Sequence, residues 1–516
     1  LLLVKATADG CGTGVSMFDD AAGFDKGLVG DKSEAAAAFG DDRVLLEKYL
    51  TRPRHVEVQV FADTQGSVLY LFERDCSIQR RHQKVVEEAP APGLAPHQRR
   101  AIGQAAVAAA AAIGYVGAGT VEFLMDEDGA FYFMEMNTRL QVEHPVTEMI
   151  TGLDLVEWQV RVAGGEPLPM GQDDLAIDGH AIEVRLYAED PQGGFLPATG
   201  TLHHLRLPAD DVHVRVDTGV RQGDALTVHY DPMIAKLIVH DRDRAAAIRR
   251  LRTALDRTEV VGVATNTGFL QAIAAHPAFA AADLDTRFID RHTADLLPDP
   301  GLPGGPVLAA AVLGLLLGRR RDAEAASRLS RDPWSPWNAA DGWRLNDEAT
   351  ETLALRHAGT VLEMSVRYLR DGTFRILLPD GATVHATGEI DADSTLHAVL
   401  DGVRGRVTLV RRGREITVLG HAATGTHHFT LVDPIAEAES AGADAGRLTS
   451  PMPGRIVAVL AEAGQEVTAG TPLVILEAMK MEHTLRAPAD GRVTDVPYAV
   501  GDQVEDGVPL IGFEPA

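Results

Sequence analysis

Polar side chains occupy every second position from Glu135 to Glu143, with Asn137, Arg139 and Gln141 between them. In an extended chain alternate residues face the same side, so these five side chains would share one face. Carboxylate and amide oxygens are the ligands that Mg²⁺ prefers, and Mg²⁺ commonly binds together with substrate phosphates. Arg139 could then hold an anion, and Glu143 could act as a base. The alternative is an ordinary strand whose polar face meets solvent.

A hairpin would add a further carboxylate to this face. Residues 120–124 read as a strand, residues 126–129 as a turn, and residues 131–141 as an extended segment. Such a turn favours antiparallel pairing, which would bring Glu122 near Glu135.

Two earlier stretches also contain residues that suit phosphate or anion chemistry. Residues 5–14 form a glycine-rich loop after an apolar strand, and such loops let backbone N–H groups approach phosphates. Residues 73–84 collect five arginine, histidine and lysine side chains in a chain whose net charge is −26. A flexible turn and a solvated loop are the respective alternatives.

Lys480 is flanked by Met479 and Met481 and is the only lysine in the second half of the chain. Arginine supplies nearly all other basic side chains there, and it cannot be acylated at physiological pH as an exposed lysine can. The pattern therefore predicts that Lys480 is retained for its amine. The alternative is one more solvated surface lysine.

The module around Lys480 is written twice. Gly454 and Leu473 recur as Gly491 and Leu510, each pair 37 positions apart. Such a repeat predicts one supersecondary unit used twice, so that two apolar faces cover each other. Each copy reads as short strands separated by glycine turns, and Lys480 falls between the copies.

The middle of the chain predicts a different architecture. Residues 353–431 are short alternating runs separated by turn pairs such as Asp371-Gly372, which predict hairpins and a small antiparallel barrel. The apolar run at residues 307–317 is too short to span a bilayer and predicts a buried helix. Residues 297–306 have linker composition, and residues 435–446 predict a mobile tether.

Length and composition set broader limits. A chain of 516 residues should hold several domains, and its net charge of −26 opposes binding to nucleic acid or an anionic membrane. Cys11 and Cys76 offer neither a disulfide framework nor zinc spacing, which favours a reducing compartment. The chain opens in an apolar strand without Met, and we expect upstream sequence to be missing.

Together these blocks resemble the biotin-carrying α subunits of acyl-CoA carboxylases. The resemblance rests on residues 73–84, on residues 135–144, and on Ala-Met-Lys-Met at 478–481 with Ser-Pro-Met-Pro-Gly at 450–454. It implies an α+β multidomain fold: a partial ATP-grasp biotin carboxylase, a small antiparallel β-barrel with a helix, and a C-terminal biotinyl/lipoyl-type β-sandwich. The implied domains are residues 1–150 for the ATP-grasp portion, 151–292 for the carboxylase C-terminal subdomain, 293–434 for the linker helix and subunit-docking barrel, 435–446 for the tether, and 447–516 for the biotinyl carrier.

The resemblance also implies bound groups and residue roles. The cofactors would be biotin, covalently held on Lys480, together with ATP and Mg²⁺ or Mn²⁺. Catalytic roles would fall to Lys84, Arg139, Glu143 and Arg185. ATP would be bound by Lys5, Gly10, Gly12, Gly14, Glu47, Lys48, Tyr49, Leu50, His55, His82, Glu122 and Glu135; bicarbonate by Lys84, Arg139, Gln141 and Val142; and the metal by Glu122, Glu135 and Asn137.

In the implied reaction Glu143 deprotonates bicarbonate, which then attacks the γ-phosphate of ATP. Carboxyphosphate yields CO₂ and phosphate, the phosphate takes the N1 proton of biotin, and Arg185 stabilises the resulting enolate. The expected partners are a separate carboxyltransferase β subunit in an α/β hetero-oligomer, and a biotin protein ligase. A lipoyl carrier is the alternative reading of the repeated module.

The glycine loop departs from the family pattern of four glycines followed by Lys or Arg and Gly. Asp9 adds negative charge beside the phosphates, Cys11 adds a side chain, and Thr13 removes a cation. We expect weakened ATP affinity. A second hypothesis follows, in which the chain is a biotin carrier or scaffold subunit with an impaired carboxylase site.

The tryptophans at positions 334, 337 and 343 resemble most the 3-methylcrotonyl-CoA branch of the family. Propionyl-CoA and acetyl-CoA carboxylases are the alternatives. A pyruvate carboxylase is disfavoured, because its transferase barrel would lie between residues 292 and 446. The expected location is the bacterial cytoplasm or the mitochondrial matrix.

Overall fold

The computed structural model describes residues 2–6, 16–18, 21–39, 41–81, 83–299, 301–420, 425–433, 447–450, 452–478, 481–505 and 507–515. The chain divides into two compact units, one made of residues 1–181 and 282–291 and the other of residues 182–281 and 292–516. No helix in this described part of the chain is long and apolar enough to cross a membrane.

The first unit contains a main antiparallel sheet, and the first three strands of the chain form a separate small sheet. The strands are β1 (Leu2–Ala6), β2 (Ser16–Phe18), β3 (Val44–Lys48), β4 (Arg54–Ala62), β5 (Val68–Arg80), β6 (Gln83–Ala89), β7 (Gly117–Met125) and β8 (Phe131–Asn137), and the helices are α1 (Ala21–Phe39), α2 (Pro96–Ala112), α3 (His144–Thr151) and α4 (Leu155–Ala163). The order is β6-β5-β4-β7-β8 in the main sheet and β2-β1-β3 in the other.

Helix α2 covers one face of the main sheet. Its alanine-rich sequence favours a helix, and Pro96 suits the first turn because no intrahelical N–H is needed there. Ile102 of α2 packs with Val58 of β4 and Val121 of β7 in one apolar cluster. This burial fixes one face of β4 against the helix and leaves the other face for the polar residues described below.

The second unit begins with short strands and four helices. These are β9 (His180–Tyr187), β10 (Glu189–Asp190), β11 (Leu196–Pro197), β12 (Gly200–Thr201), β13 (His204–Arg206), β14 (Val214–Thr218), β15 (Ala225–Leu226), β16 (Met233–Asp241), β17 (Glu259–Val261), α5 (Arg244–Asp256), α6 (Thr267–Ala275), α7 (Pro277–Ala280) and α8 (Phe288–Leu296). The unit boundaries after residues 181 and 291 fall within strand β9 and within helix α8, respectively. The side chain of Asp243 caps α5 by accepting from the Ala246 N–H.

A long helix and a closed antiparallel barrel follow, which confirms the prediction for this region. They comprise α9 (Gly305–Leu329), β18 (Trp343–Arg344), β19 (Asp347–Glu348) and the barrel strands β20 (Thr350–His357), β21 (Thr360–Tyr368), β22 (Phe374–Leu377), β23 (Thr383–Ile390), β24 (Thr395–Leu400), β25 (Val403–Arg412), β26 (Glu415–Leu419) and β27 (His427–Leu431). Residues 307–316 of α9 are all buried, and they share one apolar core with the inward side chains of the barrel. A helix that is apolar on every side must be enclosed in this way.

The repeated module folds as two four-stranded sheets. Its strands are β28 (Arg447–Thr449), β29 (Gly454–Val459), β30 (Glu466–Val467), β31 (Pro472–Ala478), β32 (Met481–Arg486), β33 (Gly491–Asp495), β34 (Gln503–Val504) and β35 (Pro509–Pro515). Strand β30 of the first copy pairs with β33 of the second, and β34 of the second copy pairs with β29 of the first. The two copies therefore complete each other's sheets, and their apolar side chains share one core, as the repeat predicts.

One prediction was wrong in its extent. The extended segment expected at residues 131–141 ends at Asn137, and Glu143 is instead the residue before helix α3. Pro145 lies in the first turn of α3, where its fixed φ favours helix. The side chains of Gln141 and Glu143 are consequently buried, whereas Arg139 is exposed, so the five alternating residues do not share one strand face.

Two glycines on α9 give a matched test of the packing between helix and barrel. A β-carbon at Gly314 would overlap Leu409 of β25, whereas one at Gly318 would lie 3.4 Å from the flexible end of Arg411. Both Gly→Ala changes gain about 1 kcal/mol of helix propensity. Only G314A also carries an overpacking cost of about 1–3 kcal/mol. We expect G314A to unfold more easily than G318A by that amount in urea denaturation; equal stabilities would contradict the packing.

Candidate active site

Strand β4 carries two kinds of side chain. His55, Glu57 and Gln59 lie on one face of the sheet, while the valines between them pack in the apolar cluster with α2. The polar face is also buried, and Glu57 and Gln59 are fully enclosed. Buried polar groups are costly unless they are paired. This face must therefore be held together by ion pairs and hydrogen bonds.

The strand register aligns the charged residues in a row. Glu57 lies opposite Arg74 of β5 on one side and opposite Glu122 of β7 on the other. Glu135 of β8 lies opposite Glu122, which confirms the predicted hairpin pairing. Residues far apart in the sequence thus meet on neighbouring strands of one sheet.

Lys84 of β6 is the centre of the site. Its Nζ lies 2.6 Å from Glu57 Oε2, 2.6 Å from Glu143 Oε1 and 3.1 Å from Glu122 Oε1. The side chain of Lys84 is only 12% exposed, so water screens these ion pairs weakly. One ammonium group therefore holds three carboxylates from two strands and a helix start.

Arg74 closes the buried side of this cluster. Its Nε donates to Glu57 Oε1 at 2.6 Å, and the side chain is completely enclosed. Its terminal N–H groups donate to Gln59 Oε1 at 2.8 Å, Thr147 Oγ1 at 2.9 Å, Thr120 Oγ1 at 3.2 Å and Gln141 Oε1 at 3.3 Å. Because a planar guanidinium has fixed donor directions, these contacts orient Glu57 rigidly.

The charges determine the protonation states of the cluster. Burial alone would raise the pKa of Glu57, but Lys84 and Arg74 outweigh it and lower that pKa to about 2. The pKa of Lys84 is raised well above its ordinary value, because the neighbouring carboxylates outweigh the effect of burial. Lys84 is therefore a permanent cation at neutral pH and cannot serve as a base.

Glu122 collects hydrogen bonds from four side chains. Besides Lys84, its Oε1 accepts from Asn137 Nδ2 at 3.0 Å and Gln141 Nε2 at 2.9 Å, and its Oε2 lies 2.9 Å from His55 Nε2. Burial would raise the pKa of Glu122, but His55 and Lys84 lower it well below its ordinary value. Conversely Glu122 raises the pKa of His55 despite burial, so this pair stays charged over a wider pH range.

The remaining predicted residues are placed with fewer contacts. Arg139 is exposed and donates to the backbone oxygen of Leu140 at 3.4 Å. Lys48 donates to Tyr132 Oη at 2.8 Å and lies 4.8 Å from the centre of that ring. Glu47 is exposed, Tyr49 and Leu50 follow the end of β3, and Val142 lies between Gln141 and Glu143; Arg185 is buried on β9 in the second unit.

Several predictions lie outside the described residues. These are the glycine loop with Gly10, Gly12 and Gly14, His82, the whole tether at 435–446, and Lys480. For Lys5 the backbone alone is described, in β1. Strands β31 and β32 pair up to Ala478 and Met481, the residues that flank Met479 and Lys480 in the chain.

Four family models match consecutive parts of the chain. The carbamoyl-phosphate synthase L chain ATP-binding domain matches residues 2–171, and the biotin carboxylase C-terminal domain matches residues 183–291. The BT domain of the methylcrotonyl-CoA carboxylase α subunit matches residues 305–434, and the biotin-requiring enzyme domain matches residues 446–513.

Relatives cover nearly the whole chain. The mitochondrial methylcrotonoyl-CoA carboxylase subunit α of Mus musculus is 43% identical over 94% of this chain and 68% of its own length. The Dictyostelium discoideum protein of the same name is 44% identical over 94% and 70%. The chain belongs to the α subunits of biotin-dependent acyl-CoA carboxylases. The family includes the propionyl-CoA carboxylase α chain of Ruegeria pomeroyi, 41% identical over 94% of this chain and 73% of its own length.

Solved structures agree with this assignment. The biotin carboxylase domain of Hydrogenobacter thermophilus 2-oxoglutarate carboxylase, in complex with MgADP, ADP and bicarbonate, is 44% identical with a TM-score of 0.53 over 58% of this chain and 66% of that one. The Campylobacter jejuni biotin carboxylase is 43% identical with a TM-score of 0.52 over 56% and 65%. The acyl-CoA carboxylase α subunit is thus a ligase that carboxylates biotin with ATP, and its cofactors are biotin, ATP and Mg²⁺.

The observed cluster fits a divalent cation. Glu122 and Glu135 lie opposite each other on β7 and β8 and offer hard carboxylate oxygens. Asn137 links them, since its Nδ2 donates to Glu122 Oε1 at 3.0 Å and to Glu135 Oε1 at 3.3 Å. With Glu135 the cluster has four carboxylates (Glu57, Glu122, Glu135 and Glu143) against Lys84, Arg74 and the paired His55, so one negative charge remains for a bound cation to offset. Such a cation would neutralise phosphate charge when ATP is present.

Glu57 and Arg74 were missed by sequence reasoning as site residues. Glu57 is two positions from His55 in an alternating strand, and Arg74 belongs to the basic run at 73–84. Alternation predicts which face of a strand a residue occupies. It does not predict which residue of a neighbouring strand lies opposite. Only the pairing of β4 with β5 and β7 shows that Glu57 lies between Arg74 and Glu122.

Replacing Glu57 with Gln tests the electrostatics of the cluster. A carboxylate whose pKa falls from 4.5 to about 2 on folding stabilises the fold above pH 4.5 and loses this contribution as the pH falls toward 2. The full contribution is on the order of 3 kcal/mol. We expect the stability advantage of the native chain over E57Q to shrink between pH 6 and pH 3, measured by hydrogen exchange of amides in β4 and β5.

Glu73→Gln is the matched control for this measurement. Glu73 is also buried on β5, but burial outweighs its partner Arg99 and raises its pKa. A raised carboxyl pKa reverses the sign, so the native chain should gain stability relative to E73Q as the pH falls. The same trend in both variants would contradict the assignment.

Proposed function

We propose that this α subunit carboxylates biotin held on Lys480 and serves a 3-methylcrotonyl-CoA carboxylase. The observation that carries the proposal is the contact between Lys84 and Glu143 in a nearly closed, highly charged cluster. The choice of acyl-CoA rests on the methylcrotonoyl-CoA carboxylase α subunits at 43–44% identity and on the matching BT domain. Propionyl-CoA and acetyl-CoA remain the alternatives.

Lys84 and Glu143 are proposed to divide the bicarbonate chemistry. Lys84 is a fixed cation that attracts the anion, and Arg139, Gln141 and Val142 complete its binding site. Glu143 Oε1, 2.6 Å from Lys84 Nζ, would accept the bicarbonate proton and leave a better nucleophile for the γ-phosphate. Their low exposure keeps competing water away from the reacting atoms.

The other predicted residues are proposed in supporting roles. Glu57 and Arg74 orient Lys84, because both carboxylate oxygens of Glu57 are engaged by these two cations. Arg185 would stabilise the negative charge that develops when biotin loses its proton. The metal would be held by Glu122, Glu135 and Asn137, and ATP by Lys5, Gly10, Gly12, Gly14, Glu47, Lys48, Tyr49, Leu50, His55, His82, Glu122 and Glu135.

The proposed function is tested by variants that affect either the carboxylation of biotin or the attachment of biotin to Lys480, but not both. In the assembled enzyme, Lys84→Met and Glu143→Gln should lower ADP release with bicarbonate and free biotin at least about 100-fold, since cation and base act in the same step. Lys480→Arg should abolish avidin binding and leave that rate unchanged. Variants at 84 or 143 that retain the native rate would contradict the assigned roles.

The same assay decides between the two hypotheses for the chain. The residues Asp9, Cys11 and Thr13 of the glycine loop favour the alternative, an impaired carboxylase that only carries biotin. If the native protein is biotinylated on Lys480 but releases no ADP with bicarbonate and free biotin, the chain is a biotin carrier and the proposal of an active carboxylase is wrong. Intact mass would identify lipoylation instead.

The partners are proposed to be a carboxyltransferase β subunit, in an α/β hetero-oligomer, and a biotin protein ligase. Trp334 and Trp337 lie in the segment of the chain that connects α9 to the first barrel strand, and they are 91% and 94% exposed. Large exposed aromatic side chains commonly anchor protein interfaces. The location is proposed to be the bacterial cytoplasm or the mitochondrial matrix, since relatives come from bacteria and mitochondria.

A double change, Trp334→Ala with Trp337→Ala, tests this docking surface. Loss of two aromatic anchors should weaken binding of the β subunit at least tenfold in a titration with the biotinylated α subunit. Val212→Ala, an 82% exposed site outside the docking domain, is the control and should bind normally. In the native complex 3-methylcrotonyl-CoA should give the highest kcat/KM of an acyl-CoA panel; a higher value for propionyl-CoA or acetyl-CoA would move the substrate assignment.

A further inference from the structure

A separate cavity lies in the second unit, where the end of helix α5 approaches strand β25 of the barrel. Its volume is about 610 Å³, within the range of small-molecule sites. Arg257 follows the last turn of α5, and Arg406 lies on β25; both line the cavity and both are exposed. Two cationic side chains from different elements thus converge on one concave surface.

These two guanidinium groups are not neutralised by the protein. Within the described residues Arg257 and Arg406 form no ion pair, although the chain carries a net charge of −26. The third arginine of the cavity, Arg206, differs because it lies 3.2 Å from Glu259 Oε2. The cavity therefore presents positive charge that remains available.

Glu259 cannot supply the missing partner, because its oxygens are already engaged. Its Oε2 lies 2.8 Å from His204 Nε2, and its Oε1 accepts from Thr408 Oγ1 at 2.8 Å. The other acidic group at the cavity, Asp256, accepts from Gln271 Nε2 at 3.3 Å. The two exposed guanidinium groups therefore remain open to an anion from solution.

The rest of the lining suggests the size and character of the ligand. Leu207, Pro208 and Val407 supply apolar surface, and Thr253 and Thr395 supply hydroxyl groups. Arginine binds phosphate with paired N–H donors. A simple inorganic anion would leave most of a 610 Å³ cavity and its apolar wall unused.

We propose that this cavity binds a phosphate-bearing small molecule of nucleotide size. The phosphate contacts Arg257 and Arg406, and the organic part contacts the apolar wall. The site is built from residues 182–281 and from the barrel, so an occupied site would link these two parts of the second unit. This proposal is independent of the reaction proposed above.

Calorimetric titrations of the full protein at low ionic strength test the site, with inorganic phosphate, AMP and coenzyme A as probes. We expect AMP or coenzyme A to bind more tightly than phosphate, and Arg257→Gln with Arg406→Gln to weaken that binding at least tenfold through loss of charge-assisted contacts. The matched control, Arg249→Gln with Arg404→Gln, changes exposed arginines of the same helix and strand outside the cavity and should change affinity less than twofold.

The outcomes separate the possible ligands. Tighter binding of AMP or of coenzyme A identifies which nucleotide-sized phosphate the site prefers. No binding of any probe, binding unchanged by the Arg257 and Arg406 substitutions, an equal loss in the control variant, or equal affinity for inorganic phosphate would each overturn the proposal. Both double variants should unfold at the same temperature as the native protein. Any loss of binding is then not caused by loss of folded protein.

Discussion

The single ammonium group of Lys84 is the interaction on which the candidate active site depends. Three buried carboxylates would repel one another and would be strongly destabilising without a cation between them. Lys84 contacts all three, and Arg74 engages the second oxygen of Glu57 from the buried side. The site is thereby assembled and charged before any substrate arrives, which is the condition for electrostatic catalysis.

This arrangement needs a sheet with two different buried faces. On one face the valines of β4 pack with α2, and this apolar burial fixes the strands. On the other face the same strand β4 presents His55, Glu57 and Gln59 to a network that includes Thr147 of α3. Apolar packing thus provides the stability that lets an expensive charged network remain rigid, and rigidity keeps Lys84 and Glu143 in contact.

In the second unit the main requirement is the burial of apolar surface in the barrel and in the repeated module. Residues 307–316 of helix α9 are apolar on every side and are enclosed in the barrel core. The carrier module is too small for a large core, and its two copies exchange strands so that each completes the other's sheet. Side chains of both copies therefore form one apolar core.

The sequence by itself determined the strands, the hairpin at residues 126–129, the repeated module, the barrel with its helix, and the chemical type of most site residues. Alternation and turn residues are local properties, so they can be read without a fold. It did not determine that Glu57 and Arg74 belong to the site, because strand register depends on pairing between distant segments. It also failed beyond Asn137, where the strand ends, helix α3 begins at His144, and the side chains of Gln141 and Glu143 are buried. Only the tertiary structure decided which carboxylates share Lys84, because that depends on three strands and a helix meeting at one point.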